Sequence, residues 1–287
     1  MNINSPSSHR TPEPESGVLY LVGTPIGNLN DISTRALNIL KNVSLIACED
    51  TRQTKKIMSR FEISNKMISF NKHNSLNKIP KIISNLKEGQ SVAIVSDAGM
   101  PSICDPGEDL VQNAKINSID IVCVPGPCAA ITALISSGYS ASRFVFEGFL
   151  PKKKIERERI LKEISKNEKT TIIFESPHRL NQLLNELKEY CGGDREVNIS
   201  RELTKKFEEH ISNNLDDVIT LLKGKEIIGE ITVVLQGIER NKIPEINESI
   251  VKKELHELIN AGLSLSSASK YLAKKKNLSK NIIYNLY

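Results

Sequence analysis

Three short charged motifs in this 287-residue chain follow apolar runs and carry residue types suited to acid–base chemistry. They are "EDTR" after "SLIAC", "RELTK" after "EVNIS", and "ESPHR" after "TTIIF". One such motif is more often a structural ion pair, but three of them at the ends of predicted strands indicate a functional site. The candidate catalytic residues are Glu49, Asp50, Arg52, Arg201, Glu202 and Lys205.

Loops rich in Gly, Pro and small residues follow apolar runs of the same kind. They are "GTPIGN" (23–28), "SDAGMP" (96–101), "PGPCAA" (125–130) and "SP" (176–177), and the start of "GEITVV" is a fifth candidate. Ligands of open α/β sheets bind where loops leave the carboxyl ends of strands, so these loops predict a small-molecule site. None matches a Walker A loop or G-x-G-x-x-G, which argues against nucleoside triphosphates and ordinary dinucleotides.

The elements that must position these loops alternate between short apolar runs and helical patterns. Residues 18–22, 44–48, 91–95 and 119–124 predict buried strands, with helices in "ISTRALNILKNV" and in "LNKIPKIISNLKEG", which stops at Gly89. A second set follows "RFVFEGFLP", with strands in "TTIIF", "EVNIS" and "EIIGEITVVLQG" and helices in "RLNQLLNELKEY" and near 214–222. The alternation predicts two α/β domains, the first with a largely parallel sheet.

Domain boundaries follow from composition. Residues 1–17 are polar and rich in Ser and Pro, which predicts a disordered tail and no signal peptide. The N-terminal α/β domain is predicted over 18–140 and the second over 141–238. Residues 243–287 combine short helical patterns with Gly and Lys clusters, which is typical of a small helix-turn-helix module that contacts phosphate. A solvated helical cap on the core is the alternative interpretation.

Composition narrows the class of protein. Hydrophobic residues make up 39% and charged residues 25%, as in ordinary globular proteins, and the formal charge of +5 weakly favours an anionic partner. No run of about 18 apolar residues occurs, so a membrane span is not expected. The five Cys form no C-x-x-C pair, which predicts reduced thiols in a cytoplasmic protein and no zinc site.

Seven motifs, in order along the chain, carry a resemblance: "GTPIGNLNDISTRAL", "EDTR", "SDAGMPSICDPG", "VPGPCAA", "FEGFLP", "ESPHRL" and "RELTK". The chain resembles the bacterial small-subunit ribosomal RNA (cytidine-2′-O)-methyltransferases, which belong to the tetrapyrrole methylase-like (class III) S-adenosylmethionine enzymes. The resemblance runs from about Val18 to Gly237, and the C-terminal segment is similar to that family's helix-turn-helix extension. It implies two α/β domains of tetrapyrrole-methylase type with the cofactor in the cleft between them.

The resemblance implies S-adenosylmethionine as the methyl donor, held largely by loop backbone, and a homodimer. Glycine at position 99 has a physical explanation, since a missing Cβ lets the main chain approach a ligand closely. Met100 stands near the position where relatives that act on tetrapyrroles carry the Asp of a Gly-Asp-Pro sequence, which favours the RNA branch. The expected donor contacts are Pro25, Ala98, Gly99, Met100, Ser102, Ile103, Ala129, Ala130, Glu175, Ser176, Glu230, Ile231 and Thr232.

Methyl transfer to a ribose hydroxyl requires orientation and a proton acceptor, and no metal is expected. The protein must place the acceptor oxygen in line behind the methyl group, at about 3 Å, while a carboxylate or amine takes the proton late in the reaction. The expected partner is small-subunit RNA in the assembled 30S particle, recognised by shape and backbone, because aromatics are only 5% and Trp is absent. The expected RNA-binding residues are Lys152, Lys153, Lys154, Arg157, Arg159, Lys274, Lys275 and Lys276.

Two alternatives remain. One is a methylase of tetrapyrroles or other small molecules on the same fold, for which "EDTR", "RELTK" and the basic C-terminal segment have no evident use. The other is a DNA-binding regulator whose α/β part senses a ligand. Its helix "SSASKYLAKKKN" offers Ser and Lys, which suit phosphate better than base edges.

Overall fold

A computed structural model describes residues 13–238, 248–276, 283–284 and 286–287. The chain divides into two compact units, Met1–Gly237 and Ile238–Tyr287. Most of the predicted disordered tail lies outside the described residues. Its last part, residues 13–17, contacts the first α/β region instead: Glu13 pairs with Arg35 at 2.7 Å, and the Gly17 amide donates to the Gly89 carbonyl.

The first sheet has five strands, all parallel, in the order β3-β2-β4-β1-β5. The strands are β1 (Leu19–Val22), β2 (Leu45–Cys48), β3 (Met67–Ser69), β4 (Val92–Val95) and β5 (Ile121–Val124). The predicted parallel sheet is therefore confirmed. The sequence analysis missed β3, because three half-buried residues at a sheet edge give no apolar run.

Helices cover both faces of the first sheet. One face buries Tyr20, Ile46 and Val95 against α1 (Thr34–Asn42) and α2 (Thr51–Arg60). The other buries Leu19, Val92 and Ile94 against α3 (Ser75–Lys87) and α4 (Glu108–Ile116). With both faces covered, the strands must be apolar throughout, which explains their continuous Val, Ile and Leu runs.

The second sheet is mixed, in the order β6-β7-β10-β8-β9. Its strands are β6 (Phe144–Phe149), β7 (Thr170–Glu175), β8 (Glu196–Arg201), β9 (Glu209–Asn214) and β10 (Ile231–Leu235). The β6–β7 pair is parallel, while β10 runs antiparallel to both β7 and β8. The start of β10 therefore lies beside the ends of β7 and β8, and loops from all three strands meet at one edge of the sheet.

The two faces of the second sheet pack differently. One face carries α6 (Lys154–Ser165), α7 (Pro177–Cys191) and α8 (Leu215–Leu222) over a core that includes Ile173, Val197 and Val233. The opposite face packs against α5 (Ala129–Ser137), whose Ala130, Ala133 and Leu134 join Ile172 and Val234 in one cluster. Helix α5 follows the first sheet in sequence but packs on the second, so it connects the two sheets.

The C-terminal unit contains α9 (Glu248–Asn260) and α10 (Leu265–Lys276), joined by a turn at Gly262 with φ +98°. Val251 and Leu255 of α9 pack against Ala268 and Leu272 of α10. This matches the predicted short helices around a Gly turn. In the described part of the chain, no helix has the length and apolar character needed to cross a membrane.

Two glycines hold the first-sheet loops together. A Cβ added at Gly126 would lie 2.8 Å from the Gly23 Cα, and one added at Gly23 would lie 2.7 Å from both the Gly126 Cα and the Met100 Sδ. The loops after β1 and β5 thus pack backbone against backbone, which leaves no room for a side chain on either.

Replacing Gly126 by Ala should lower the free energy of unfolding by about 2–3 kcal/mol, because the added methyl group must displace main chain. A matched control is Gly138→Ala at the end of α5, where φ is +73° but no atom lies within 4 Å of the added Cβ. That control should lose only about 1 kcal/mol from backbone strain. Urea unfolding followed by circular dichroism compares the two, and an equal or smaller loss for Gly126→Ala would contradict the packing argument.

Candidate functional site

A cavity of about 490 Å³ lies where the loops of the two sheets face each other. The first-sheet side contributes Ile26, Glu49, residues 97–100, residues 103–105 and residues 128–129. The second-sheet side contributes Phe149, residues 174–177, Leu203 and residues 229–232. These residues come from the ends of β2, β4, β6, β7 and β8, the loops after β1 and β5, and the start of β10, as expected for an α/β ligand site.

Backbone hydrogen bonds fix the cavity loop after β4. The Thr24 amide donates to the Gly99 carbonyl at 2.9 Å, and the Gly99 amide donates back to the Thr24 carbonyl at 3.1 Å. Gly99 adopts φ +81°, a conformation that disfavours any residue with a Cβ. Ser102 and Cys104 also have positive φ, at 71° and 65°. The loop is held in a costly conformation that its neighbours enforce, which is typical of functional sites.

Three carboxylates lie together on the first-sheet wall of the cavity: Glu49, Asp97 and Asp105. Asp97 accepts a hydrogen bond from the Asp50 amide at 3.0 Å, and its own amide donates to Glu49 Oε2 at 3.5 Å. Burial, and then the neighbouring Asp97, raises the pKa of Glu49. Burial and the Glu49 carboxylate raise the pKa of Asp105 to about 6. This wall carries like charges that a cation would stabilise.

Asp50 and Arg52 have a different arrangement from Glu49, although all three belong to "EDTR". Asp50 caps α2 by accepting from the Arg52 amide at 2.8 Å, and it also pairs with the Arg52 guanidinium at 2.6 Å. Hydrogen bonds from Arg52 lower the pKa of Asp50 to about 2. Neither residue lines the cavity, and the Arg52 side chain is 87% exposed. The structure therefore brings Glu49 alone of this motif into the cavity.

Glu175 supplies a buried carboxylate from the second sheet, with neutralising partners. The residue is 2% exposed, and its Oε1 accepts from the Ser176 amide at 2.8 Å and pairs with Arg179 at 2.6 Å. The guanidinium of Arg157 lies 3.6 Å from its Oε2. Two arginines thus compensate the charge of Glu175, whereas at Glu49 and Asp105 the attraction of Lys72 opposes the effect of burial without outweighing it.

Residues of the "RELTK" motif form a network of ion pairs and hydrogen bonds with Glu230, which lines the cavity. Lys205 Nζ donates to Glu202 Oε1 at 2.8 Å and to Glu230 Oε2 at 3.0 Å, and Glu202 Oε1 also accepts from the Glu230 amide. The hydrogen bond from Lys205 lowers the pKa of Glu202. Glu230 lines the cavity, whereas Glu202 and Lys205 hold it from behind. Arg201 pairs with Glu209 at 2.9 Å, also outside the cavity lining.

Most of the expected donor contacts lie together in the cavity. Its lining includes Ala98, Gly99, Met100, Ile103, Ala129, Glu175, Ser176, Glu230, Ile231 and Thr232. Pro25, Ser102 and Ala130 are not part of the lining. The sequence analysis did not single out Asp97, Asp105, Phe149 or Phe174. The signal for the two aspartates was present in "SDAGMPSICDPG", where each follows a strand end or precedes a proline kink.

The expected RNA-binding residues fall into different environments. Lys152, Lys153, Lys154 and Arg159 are exposed at the start of α6. Arg157 is only 6% exposed and donates to Glu186 at 2.8 Å, so its guanidinium is used inside the protein and cannot also contact phosphate. Lys275 is exposed and lies 3.5 Å from Glu254. The side chains of Lys274 and Lys276 lie outside the described part of the chain.

The cavity suits a ligand with a flat apolar part and a positive charge. Its lining is mainly apolar, with Ile26, Ile103, Phe174 and Leu203 on opposite sides. The lining carboxylates whose pKa values burial raises, Glu49, Asp97 and Asp105, lie on the first-sheet wall. Within the described residues, no group of three or more His, Cys, Asp and Glu is arranged to hold a metal ion.

Comparison with known proteins agrees with this geometry. A profile described as Tetrapyrrole (Corrin/Porphyrin) Methylases matches residues 18–219. A protein named Ribosomal RNA small subunit methyltransferase I from Synechocystis sp. is 40% identical over 270 residues, which is 94% of this chain and 97% of that protein. A protein of the same name from Thermotoga maritima is 47% identical over 223 residues, which is 78% of this chain and 100% of that protein.

Solved structures show the same fold at low identity. Uroporphyrin-III C-methyltransferase from Thermus thermophilus, complexed with S-adenyl homocysteine, has a TM-score of 0.54 at 15% identity. The similarity covers 76% of this chain and 96% of that one. It shows the arrangement of the two α/β domains and no more.

Replacing Asp105 by Asn should stabilise the protein near pH 7.5 and not at pH 4. The folded-state pKa of about 6 lies above the ordinary 3.8, so the charged carboxyl costs stability progressively as pH rises through that window. For a half-buried group the gain is about 1 kcal/mol, or a Tm increase of about 2–4 °C. Thermal unfolding at both pH values tests this, with Asp120→Asn as an exposed control. A destabilised Asp105→Asn protein at pH 7.5 would show that the carboxylate is satisfied.

Proposed function

The chain belongs to the tetrapyrrole (corrin/porphyrin) methylase family, and from that premise we propose that it transfers a methyl group from S-adenosylmethionine to the 2′-hydroxyl of a cytidine ribose in small-subunit ribosomal RNA. The observation that carries the proposal is the 40–47% identity, over most of the chain, to relatives named ribosomal RNA small subunit methyltransferase I. Fold alone would equally allow a tetrapyrrole substrate. The RNA substrate therefore rests on these relatives and on the motifs "EDTR" and "RELTK".

The cavity fits S-adenosylmethionine as the donor. When bound, this cofactor supplies an electrophilic methyl group on a positively charged sulfonium. The wall of Glu49, Asp97 and Asp105 offers the charge that complements a cation. Residues 98–100 offer loop backbone, residues 230–232 offer backbone at the start of β10, and Phe174 and Leu203 offer apolar surface for a flat ring. The ligand bound to the Thermus thermophilus neighbour supports the same assignment.

The residues of the cavity orient the acceptor and take its proton. Asp105 and Glu49 are the best-placed proton acceptors, because both line the cavity and burial raises both pKa values toward neutrality. The apolar lining from Ile26 and Ile103 excludes water from the reacting groups. Lys205 holds the Glu230 carboxylate, which keeps the opposite rim in a fixed position.

Exposed basic residues serve the RNA. Lys152, Lys153 and Lys154 follow soon after the cavity residue Phe149, and Arg159 lies further along α6; we infer that they contact phosphates near the acceptor. The Lys-rich α10 of the C-terminal unit adds a second contact surface. The Thermotoga maritima relative is matched along its whole length by 78% of this chain, so a shorter protein carries the same name. The proposal extends to a cytoplasmic homodimer that acts on the assembled 30S particle.

The direct test is transfer of labelled methyl groups to unmodified 30S particles, naked small-subunit RNA and a tetrapyrrole precursor, followed by nucleoside analysis. We expect label in 2′-O-methylcytidine, with transfer reduced at least about 100-fold in Glu49→Gln if this carboxylate takes part in proton removal. Label on the tetrapyrrole alone would contradict the RNA assignment.

The same assay distinguishes the proposed function from the DNA-regulator alternative, under which removal of residues 243–287 abolishes all function. Under the proposed function, a chain that lacks these residues should still methylate RNA, with weaker binding of the particle. Complete loss of methyl transfer with normal donor binding would assign an essential role to the C-terminal unit.

A further inference from the structure

A bulge in β6 changes the direction of one aromatic side chain. Phe146 pairs with Ile172, Gly148 with Ile173 and Phe149 with Phe174, so the register shifts between Phe146 and Gly148. In a regular strand, residues three apart point to opposite faces of the sheet. The extra residue of a bulge reverses that alternation, which places Phe149 on the same face as Phe146.

Glycine and a neighbouring loop keep the bulge in place. Gly148 adopts φ +61°, and a Cβ there would lie 2.9 Å from the Sγ of Cys104. Cys104 belongs to the first-sheet loop that carries Asp105. The backbone of Phe149 also hydrogen-bonds to the Cys104 sulfur, so the loop that carries Asp105 helps the strand to position this residue.

Phe149 lines the cavity with much of its ring uncovered. The ring packs 5.6 Å from Phe174, which in turn makes an edge contact with Phe146 at 5.0 Å. Phe149 is nevertheless 53% exposed, whereas the other two are half-buried. A ligand that covers this ring would bury apolar surface that the protein leaves exposed, which would favour its binding.

Charge around this ring favours a nucleic acid as the covering partner. The chain passes from Phe149 through Leu150 and Pro151 to Lys152, Lys153 and Lys154 at the start of α6. The side chains of Lys153 and Lys154 are 83% and 88% exposed, and each makes only a long surface ion pair, at 3.7 Å to Glu156 and 3.8 Å to Glu158, which a phosphate can replace. Proteins that bind single-stranded RNA combine exposed aromatic rings, on which bases stack, with basic residues that contact the phosphates.

We propose that Phe149 is the platform on which the cytosine base of the acceptor nucleotide stacks. This assignment rests on the proposed function, since a base whose ribose 2′-hydroxyl reacts in the cavity must lie within a nucleotide's length of it. Stacking on Phe149 fixes the base, and the attached ribose then faces the wall that holds Glu49 and Asp105. The motif "FEGFLP" contains both the bulge glycine and this ring.

The chain contains no Trp, so a Phe149→Trp protein carries a single tryptophan at the proposed platform. Its fluorescence, excited where RNA does not absorb, should be quenched by a short oligocytidylate at saturating S-adenosylhomocysteine. Phe144→Trp, at the other end of β6 and 39% exposed, is the matched control and should not respond. Equal quenching in both variants, or none in either, would overturn the proposal.

Kinetics separates the base from the donor. In Phe149→Ala the KM for small-subunit RNA should rise about tenfold, which is ~1.4 kcal/mol, with a smaller change in the donor Kd. Phe149→Tyr should restore the KM, and Phe149→Leu should restore it only in part. A raised donor Kd with unchanged RNA KM would place the ring against the donor and overturn the proposal. Thermal unfolding of each variant excludes a folding defect.

The two proposals fail in different ways. If the wild-type chain methylates no RNA, the proposed function fails, while quenching of Phe149→Trp by oligocytidylate still reports a base on the ring. If RNA is methylated but Phe149→Ala keeps the wild-type KM, the platform fails and the function stands.

Discussion

The cavity depends on the repulsion between carboxylates that the fold places side by side. Parallel strands end at one edge, so Glu49 after β2 and Asp97 after β4 are brought side by side, and the loop that follows β4 adds Asp105. Lys72 attracts both Glu49 and Asp105, but burial outweighs that attraction and raises both pKa values. Backbone packing at Gly23, Gly126 and Gly99 holds the loops in this arrangement. The repulsion between these carboxylates lowers the stability of the protein, and the same negative charge gives the cavity its preference for a cation.

The second sheet supplies the opposite wall, where charges are compensated. Glu175 lies between Arg157 and Arg179, and Glu230 accepts from Lys205. Because β10 runs antiparallel to its neighbours, its start joins the ends of β7 and β8 and closes the cavity from that side. The charged first-sheet wall and the compensated second-sheet wall are therefore suited to different parts of a ligand.

Sequence patterns predicted the strands and loops that recur along the chain. They missed the features that depend on contacts between residues distant in the sequence. Continuous apolar runs identified the strands that are buried on both faces, and the loops after them identified most of the cavity. Strand β9 was missed because its sequence "EHISNN" is polar, as an exposed edge strand allows. Arg157 looked like part of a basic surface, but helix α6 turns it inward onto Glu186. The bulge that re-aims Phe149 packs against Cys104, more than 40 residues away in the chain, and no local pattern could predict that contact.

The central claim is that the acidic wall receives a cation, and calorimetry with two ligands tests it most directly. S-adenosylmethionine and S-adenosylhomocysteine differ by the methyl group and the sulfonium charge, so the ratio of their affinities isolates that charge. From pH 5 to pH 7.5 the affinity for S-adenosylmethionine relative to S-adenosylhomocysteine should rise about tenfold, as Asp105 ionises around pH 6. Asp105→Asn should remove most of that rise. A ratio that does not change with pH in the wild-type protein would contradict the account.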